Sequence, residues 1–223
     1  MARRAGRRPP RDPLGRALRA RRAPSARRVP RARPHRKRRR HRAHRPRPLS
    51  APRRDAAVLV PFFRDAQGAL RMVLVRRASG GVHGGQIAFP GGRVEPGDVS
   101  REAAALREAQ EEIGLPPGHA EVLAALPAVD TVVSGFLIHP FLARVRRPAA
   151  WRPDPAEIAD VLEPRVDDLL APEAHGESLE RFPQWPGPVR IGFYRVGGHR
   201  LWGATYRIVR PLLPRVAAGD WPL

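Results

Sequence analysis

Residues 91–115 read GGRVEPGDVSREAAALREAQEEIGL, and the rest of the chain is best read outward from them. From Ser100 onward the stretch is written as a helix. Ser100 supplies a side-chain oxygen to cap the first free N–H groups. Gly114 suits a left-handed stop, and Pro116 and Pro117 bar any continuation. The predicted helix therefore runs from about Ser100 to Ile113. Ala103, Leu106, Gln110 and Ile113 recur at roughly heptad spacing and are expected to face the core. Glu108 and Glu112 are four residues apart and share a face, with Glu111 beside it.

Three carboxylates in the last two turns oppose each other and the negative end of the helix dipole, at about 0.3–1 kcal/mol for each dipole contact. Arg107 offsets part of this through an i, i+4 contact with Glu111. A divalent cation would offset more. Hard oxygen donors on one face, with water in the remaining positions, suit Mg²⁺ or Mn²⁺. Alone, such a run is more often the solvated face of an amphipathic helix, so the sequence before it decides.

That sequence is His83-Gly84-Gly85-Gln86-Ile87-Ala88-Phe89-Pro90-Gly91-Gly92. Paired glycines let backbone pass close to a ligand or take positive φ. From Gly92 the pattern is G-x5-Asp98-x8-Arg107-Glu108-Ala109-x-Glu111-Glu112-x-Gly114-Leu115. It resembles the box of the Nudix hydrolases, which cut a diphosphate linked to another moiety. Asp98 stands where Glu is usual, and one extra residue precedes Arg107. Both departures resemble the coenzyme A diphosphatase branch. So do Leu74-Val75-Arg76-Arg77 with the following glycine-rich stretch, Ser134-Gly135-Phe136 with His139-Pro140, and Leu201-Trp202-Gly203-Ala204-Thr205. The likeness spans about Ala56 to Val216.

The resemblance implies an α/β fold, a Nudix-type α/β/α sandwich around a mixed sheet. It implies Mg²⁺ or Mn²⁺ held by Glu108 and Glu112, with Glu111 a further ligand or the base acting through water, and the Gly92 carbonyl an added ligand. Arg107 orients the glutamates or meets a phosphate; Asp98 supports the site or caps the helix. His83 and Gln86 are candidates to touch substrate, and Arg76, Arg77 and Arg93 to meet phosphate. The implied reaction cuts coenzyme A or an acyl-CoA to 3′,5′-ADP and (acyl-)4′-phosphopantetheine. Another nucleoside diphosphate derivative, such as ADP-ribose, NADH or a dinucleotide polyphosphate, is the alternative within the family.

Composition divides the chain. Of its 42 Lys and Arg residues, 21 lie in residues 1–50 with a single acid, Asp12, while the remainder is nearly neutral. Residues 1–54 contain no Phe, Trp, Tyr or Ile and are expected to form a disordered basic tail before a hydrolase domain, residues 55–223. Such a tail invites weak contact with nucleic acid or an anionic surface, which makes a nucleic-acid-binding protein the reading of a different class. No apolar run is long enough to span a bilayer. The absence of cysteine excludes disulfides, thiolate metal sites and a cysteine nucleophile, and fits a cytoplasmic protein.

Beyond the box, strands are expected at Ala57–Phe63, Leu70–Arg76, Val122–Leu126, Phe136–Val145, Ala159–Val166 and Val189–Val196. A closing helix is expected at about Ala204–Val216. Arg64–Gly68 reads as a hairpin loop.

Overall fold

The computed structural model describes residues 53–80, 83–131, 135–182 and 185–223. The expected tail lies outside these residues except at its end, where Arg53 pairs with Asp130 at 2.7 Å and Arg54 already belongs to the first strand.

The elements follow in chain order as β1 (Arg54–Arg64), β2 (Leu70–Met72), β3 (Leu74–Arg77), β4 (Ile87–Ala88), β5 (Gly91–Arg93) and α1 (Arg101–Ile113). Next come β6 (Ala120–Ala125), β7 (Val129–Asp130), β8 (Phe136–Val145), β9 (Ile158–Leu162) and α2 (Val166–Leu170). The last are β10 (His175–Glu180), β11 (Val189–Val196), β12 (His199–Leu201) and α3 (Gly203–Ala217).

β1 is the axis. β8 runs parallel to it along one edge, and the other edge is shared by two antiparallel strands, β5 at its start and β2 at its end. β6 and β7 complete this mixed sheet beyond β8. Alternation along β1 sends Ala57, Leu59 and Phe63 to one face and Val60 and Phe62 to the other. The first face packs Ala104, Ala105, Ala109 and Ile113 of α1; the second lies in one core with Val209, Leu212 and Leu213 of α3. This is the expected α/β/α sandwich.

The run expected as one strand, Leu70–Arg76, breaks at Val73. Its N–H donates to the Pro61 carbonyl at 2.9 Å, but Pro61 has no N–H to return. The β1 ladder stops there, and β3 leaves to pair with β4 and β9 in a second, three-stranded sheet. The run expected at Ala159–Val166 ends early at Leu162, with Pro164 following and Val166 opening α2. β10, β11 and β12 form a third sheet.

Candidate active site

α1 starts and stops as its sequence dictates. The Ser100 hydroxyl oxygen accepts from the Ala103 N–H at 3.0 Å, and Gly114 takes φ 66°. Its buried face differs from the heptad expectation. Gln110 is exposed and Ala103 and Leu106 are only half-buried; Ala104, Ala105, Ala109, Glu112 and Ile113 are inside. The reason is close approach. Alanines let α1 lie tightly on β1 and β5, and that rotation carries Glu112 inward.

Glu112 is 3 % exposed, the one buried charged residue among those described. Its carboxylate accepts from the Gly91 N–H at 2.9 Å and lies 3.4 Å from the Arg77 guanidinium. Desolvation pushes its pKa up to about 7 against the pull of that N–H and of Arg77, and the charges of Glu108 and Glu157 add to the rise. Glu108 is likewise raised, first by burial, with Arg107 opposing.

The two glycines are shaped for this. Gly91 sits at φ 153°, and a Cβ there would stand 2.6 Å from the Val58 Cα. A Cβ on Gly92 would stand 2.5 Å from the Glu108 Cδ. The Glu108 carboxylate therefore fills the space that a side chain at Gly92 would need.

Arg107 is the hub. Its Nε donates to Asp98 at 2.9 Å and one terminal nitrogen donates to the second Asp98 oxygen at 3.1 Å. The other terminal nitrogen meets Glu108 at 3.0 Å and Glu111 at 2.9 Å. The first also donates to the Arg93 carbonyl at 3.2 Å. Asp98 does not cap the helix. It holds Arg107, and that bond, with the Glu95 N–H, lowers its pKa.

The substrate candidates separate. Arg77 stands at Glu112. The Gln86 carbonyl accepts from the Arg77 N–H at 3.0 Å, while the Gln86 side chain meets the His83 ring at 3.1 Å. His83, Gln86 and Arg77 thus form one flank of the site. Arg93 is exposed beside Gly92 on β5. Arg76, by strand alternation, faces away from Arg77, so those two cannot grip one phosphate together.

Glu157 is the residue that sequence reading missed. It ends a turn hooked onto the end of α1, where the Asp154 N–H donates to the Glu112 carbonyl at 3.0 Å and the Arg152 N–H to the Ile113 carbonyl at 3.0 Å. Its charge reaches both Glu108 and Glu112. No local signal marks it, because only the closure of this loop brings it in.

Among the described residues, no three His, Cys, Asp or Glu side chains stand close enough to enclose an ion by themselves. The donor chemistry nonetheless fits a hard divalent ion that keeps much of its water. Glu112 and Glu108 are desolvated carboxylates whose ionised forms lack enough positive charge nearby.

The comparisons with known proteins agree with this geometry. The NUDIX domain family matches residues 53–185, and the chain belongs to that family. NudL of Citrobacter koseri, an uncharacterized Nudix hydrolase, is 38% identical over 155 residues, spanning 69% of this chain and 73% of its own. NudL of Salmonella paratyphi B is 39% identical over 159 residues, with the same coverage. The Nudix hydrolase RenU of M. Smegmatis shares the fold with a TM-score of 0.53 at 20% identity, covering 77% of this chain and 89% of its own. The chain is a Nudix pyrophosphohydrolase acting on a nucleoside diphosphate derivative.

Proposed function

We propose that the chain hydrolyses the diphosphate of coenzyme A or an acyl-CoA, releasing 3′,5′-ADP and (acyl-)4′-phosphopantetheine. The supporting observation is the bidentate bond between Asp98 and Arg107. Asp98, which departs from the common Nudix box in residue type, and Arg107, which departs in spacing, are the two that join, and their union sets where Glu108 and Glu111 stand. The departure is thus a built feature of the site, and it is the feature that resembles the coenzyme A branch.

Glu108 and Glu112 would hold Mg²⁺ or Mn²⁺, with Glu111, Glu157 and the Gly92 carbonyl as further donors. When bound, the ion offsets charge on the diphosphate oxygens and makes water more acidic. The chain's own residues do the rest. Gly91 fixes one Glu112 oxygen, leaving the other towards Arg77. Arg107 restrains Glu108 and Glu111 so that their repulsion does not splay them. Arg77 brings positive charge to the phosphoryl side. Glu111 and Glu157 are the more solvent-accessible carboxylates and the better placed to take a proton from water.

The test is turnover of a panel comprising CoA, acetyl-CoA, ADP-ribose, NADH and a diadenosine polyphosphate with Mg²⁺ or Mn²⁺, products read by mass. The proposal expects the highest kcat/KM on CoA or acetyl-CoA, with 3′,5′-ADP released. A clear preference for ADP-ribose or NADH would replace it with the other substrate class.

A further inference from the structure

Asp55, the second residue of β1, holds both ends of the loop that leads from β5 into α1. Its main-chain carbonyl accepts from the Val94 N–H at 3.1 Å, one step beyond the Ala56–Arg93 pair of the β1–β5 ladder. Its carboxylate accepts from Arg101, the first residue of α1, with one oxygen taking a terminal N–H at 2.7 Å and the Nε–H at 3.1 Å. The other oxygen lies 3.3 Å from the His139 Nε2 on β8. The Arg101 bond holds the Asp55 carboxyl below the usual carboxylate range against the opposing effect of desolvation, and His139 adds to the pull.

Residues 94–100 have little else to fix their place. Val94 packs on the core, but residues 95–97 and Ser100 are exposed, and Val99 is 93% exposed. A small turn closes within the loop: the Asp98 N–H donates to the Glu95 carbonyl at 3.0 Å, and the Glu95 N–H to the Asp98 carboxylate at 2.8 Å. Such a turn keeps its own shape, while its two ends decide where it stands. Both groups outside α1 that hold Arg107, the Asp98 carboxylate and the Arg93 carbonyl, lie on or beside this pinned stretch. Arg101 also stands two turns before Glu108 on the same face of α1, so its tie sets the rotation that turns Glu108 towards Gly92.

We infer that Asp55, supported by His139, is a positioning residue for the acidic site: it fixes the loop and the start of α1, and through Asp98 and Arg107 it sets the directions of Glu108 and Glu111. It acts at a distance from the reacting atoms. This rests on the reading of Glu108 and Glu111 as donors to the ion and is independent of which diphosphate is cut. An ion pair this exposed adds little to stability, because water screens it. A displacement of about 1 Å in groups at a reacting centre can cost about a hundredfold in rate. Asp55 therefore matters more to turnover than to folding.

The experiment takes the full chain through amide hydrogen exchange, calorimetric titration with Mn²⁺, and turnover of whichever substrate of the panel is cut fastest. Asp55→Asn keeps the carbonyl tie to Val94 and weakens the tie to Arg101. It should lower kcat about tenfold with KM near the parent value, weaken Mn²⁺ binding about threefold or more, and leave Tm nearly unchanged. Exchange should quicken at Val94 and Asp98 and stay at parent rates over residues 105–113. Asp55→Glu should recover part of the loss. Arg101→Gln should repeat the pattern from the other side, and it decides the matter if Asp55→Asn fails to fold. Joined to Asp98→Asn, Asp55→Asn should add little, because both act on one connection. Parent kcat and Mn²⁺ affinity in both Asp55→Asn and Arg101→Gln overturn the positioning role. So does a loss accompanied by a fall in Tm and faster exchange throughout α1, which marks a merely structural tie, and so do additive losses with Asp98→Asn. If the parent binds no Mn²⁺, the reading of Glu108 and Glu111 as ion donors fails, and loop exchange with kcat decides on Asp55. If CoA is not cut, the coenzyme A reading fails alone, and the Asp55 pattern is measured on the substrate that is.

Discussion

The Gly91 N–H donates at 2.9 Å to a carboxylate oxygen of Glu112, twenty-one residues further along the chain. The bond joins the strand that enters the site to the last turn of the helix that furnishes its acids. It also explains how a charged side chain that is 3 % exposed is tolerated on a face otherwise made of alanine and isoleucine.

Glu112 sets stability against function. In the metal-free protein its carboxyl has a pKa of about 7, against 4.5 as the ordinary value. The folded state thus holds a proton that the unfolded state releases between those values. The stabilisation is complete below pH 4.5 and is lost as pH rises through 7, roughly 3 kcal/mol at most. Glu112→Gln removes this dependence. The variant should gain in Tm over the parent progressively from pH 5 to pH 8 without metal, while kcat falls about 100- to 10,000-fold. A constant Tm difference across that range would show that Glu112 is not buried as described.

The glycine pair predicts two different failures. Gly92→Ala puts a methyl where the Glu108 carboxylate sits, so that side chain must turn aside. Activity should fall about 100-fold or more with Tm nearly unchanged. Gly91→Ala meets the backbone of Ala57 and Val58 at a φ that alanine resists, and should destabilise the fold by about 2–4 kcal/mol. Chemical denaturation beside activity separates the two. Equal loss of stability in both variants would contradict the placement of Glu108.

Much of this was legible in the sequence because its signals are local. Ser100 and Gly114 bound α1 where capping chemistry says they should, and Phe136–Val145 and Val189–Val196 emerge as written. The misses share a physical cause. Heptad spacing places Gln110 in the core because it ignores side-chain volume, whereas α1 turns its alanines inward for close packing. β10, with the sequence HGESLE, has little strand propensity and exists because β11 pairs with it. Arg76 and Arg77 are neighbours in sequence and opposites in space, a separation visible only once β3 is known to be a strand at that point. Glu157 depends on loop closure, which no periodicity encodes.

Asp98 acts through Arg107, not on substrate. Asp98→Asn keeps the shape but gives up the charge-assisted fork, one face of which becomes a donor unable to accept. Arg107 then loses its anchor while keeping Glu108 and Glu111. The expected result is a loss in kcat of about tenfold, with KM little changed and more Mg²⁺ needed for half-maximal rate. Arg107→Ala should be worse, about 100-fold, since Glu108 and Glu111 lose their shared cation. The double variant should be no worse than Arg107→Ala alone, because both changes break one connection. Additive losses would mean that Asp98 has a role of its own.

Glu157 distinguishes a metal-holding set confined to α1 from one completed by the loop before β9. It stands on a separate segment tied to the α1 end through Asp154 and Arg152, so its removal leaves the helix and its caps intact. Its charge adds to the repulsion felt by Glu108 and Glu112, so Glu157→Gln should relieve the metal-free protein and leave Tm unchanged or slightly raised. With metal the sign reverses, because a carboxylate that destabilises the empty cluster stabilises a cation placed within it. The variant should need about tenfold more Mn²⁺ for half-maximal activity, and its Tm gain on adding Mn²⁺ should shrink. If Glu157 instead takes the proton from water, Mn²⁺ affinity stays at the parent value while kcat drops and its acidic pH limb moves. Metal titration followed by Tm, beside a pH–rate profile, tells these two roles apart. Parent behaviour in both measurements would leave Glu108, Glu111 and Glu112 to do the chemistry alone.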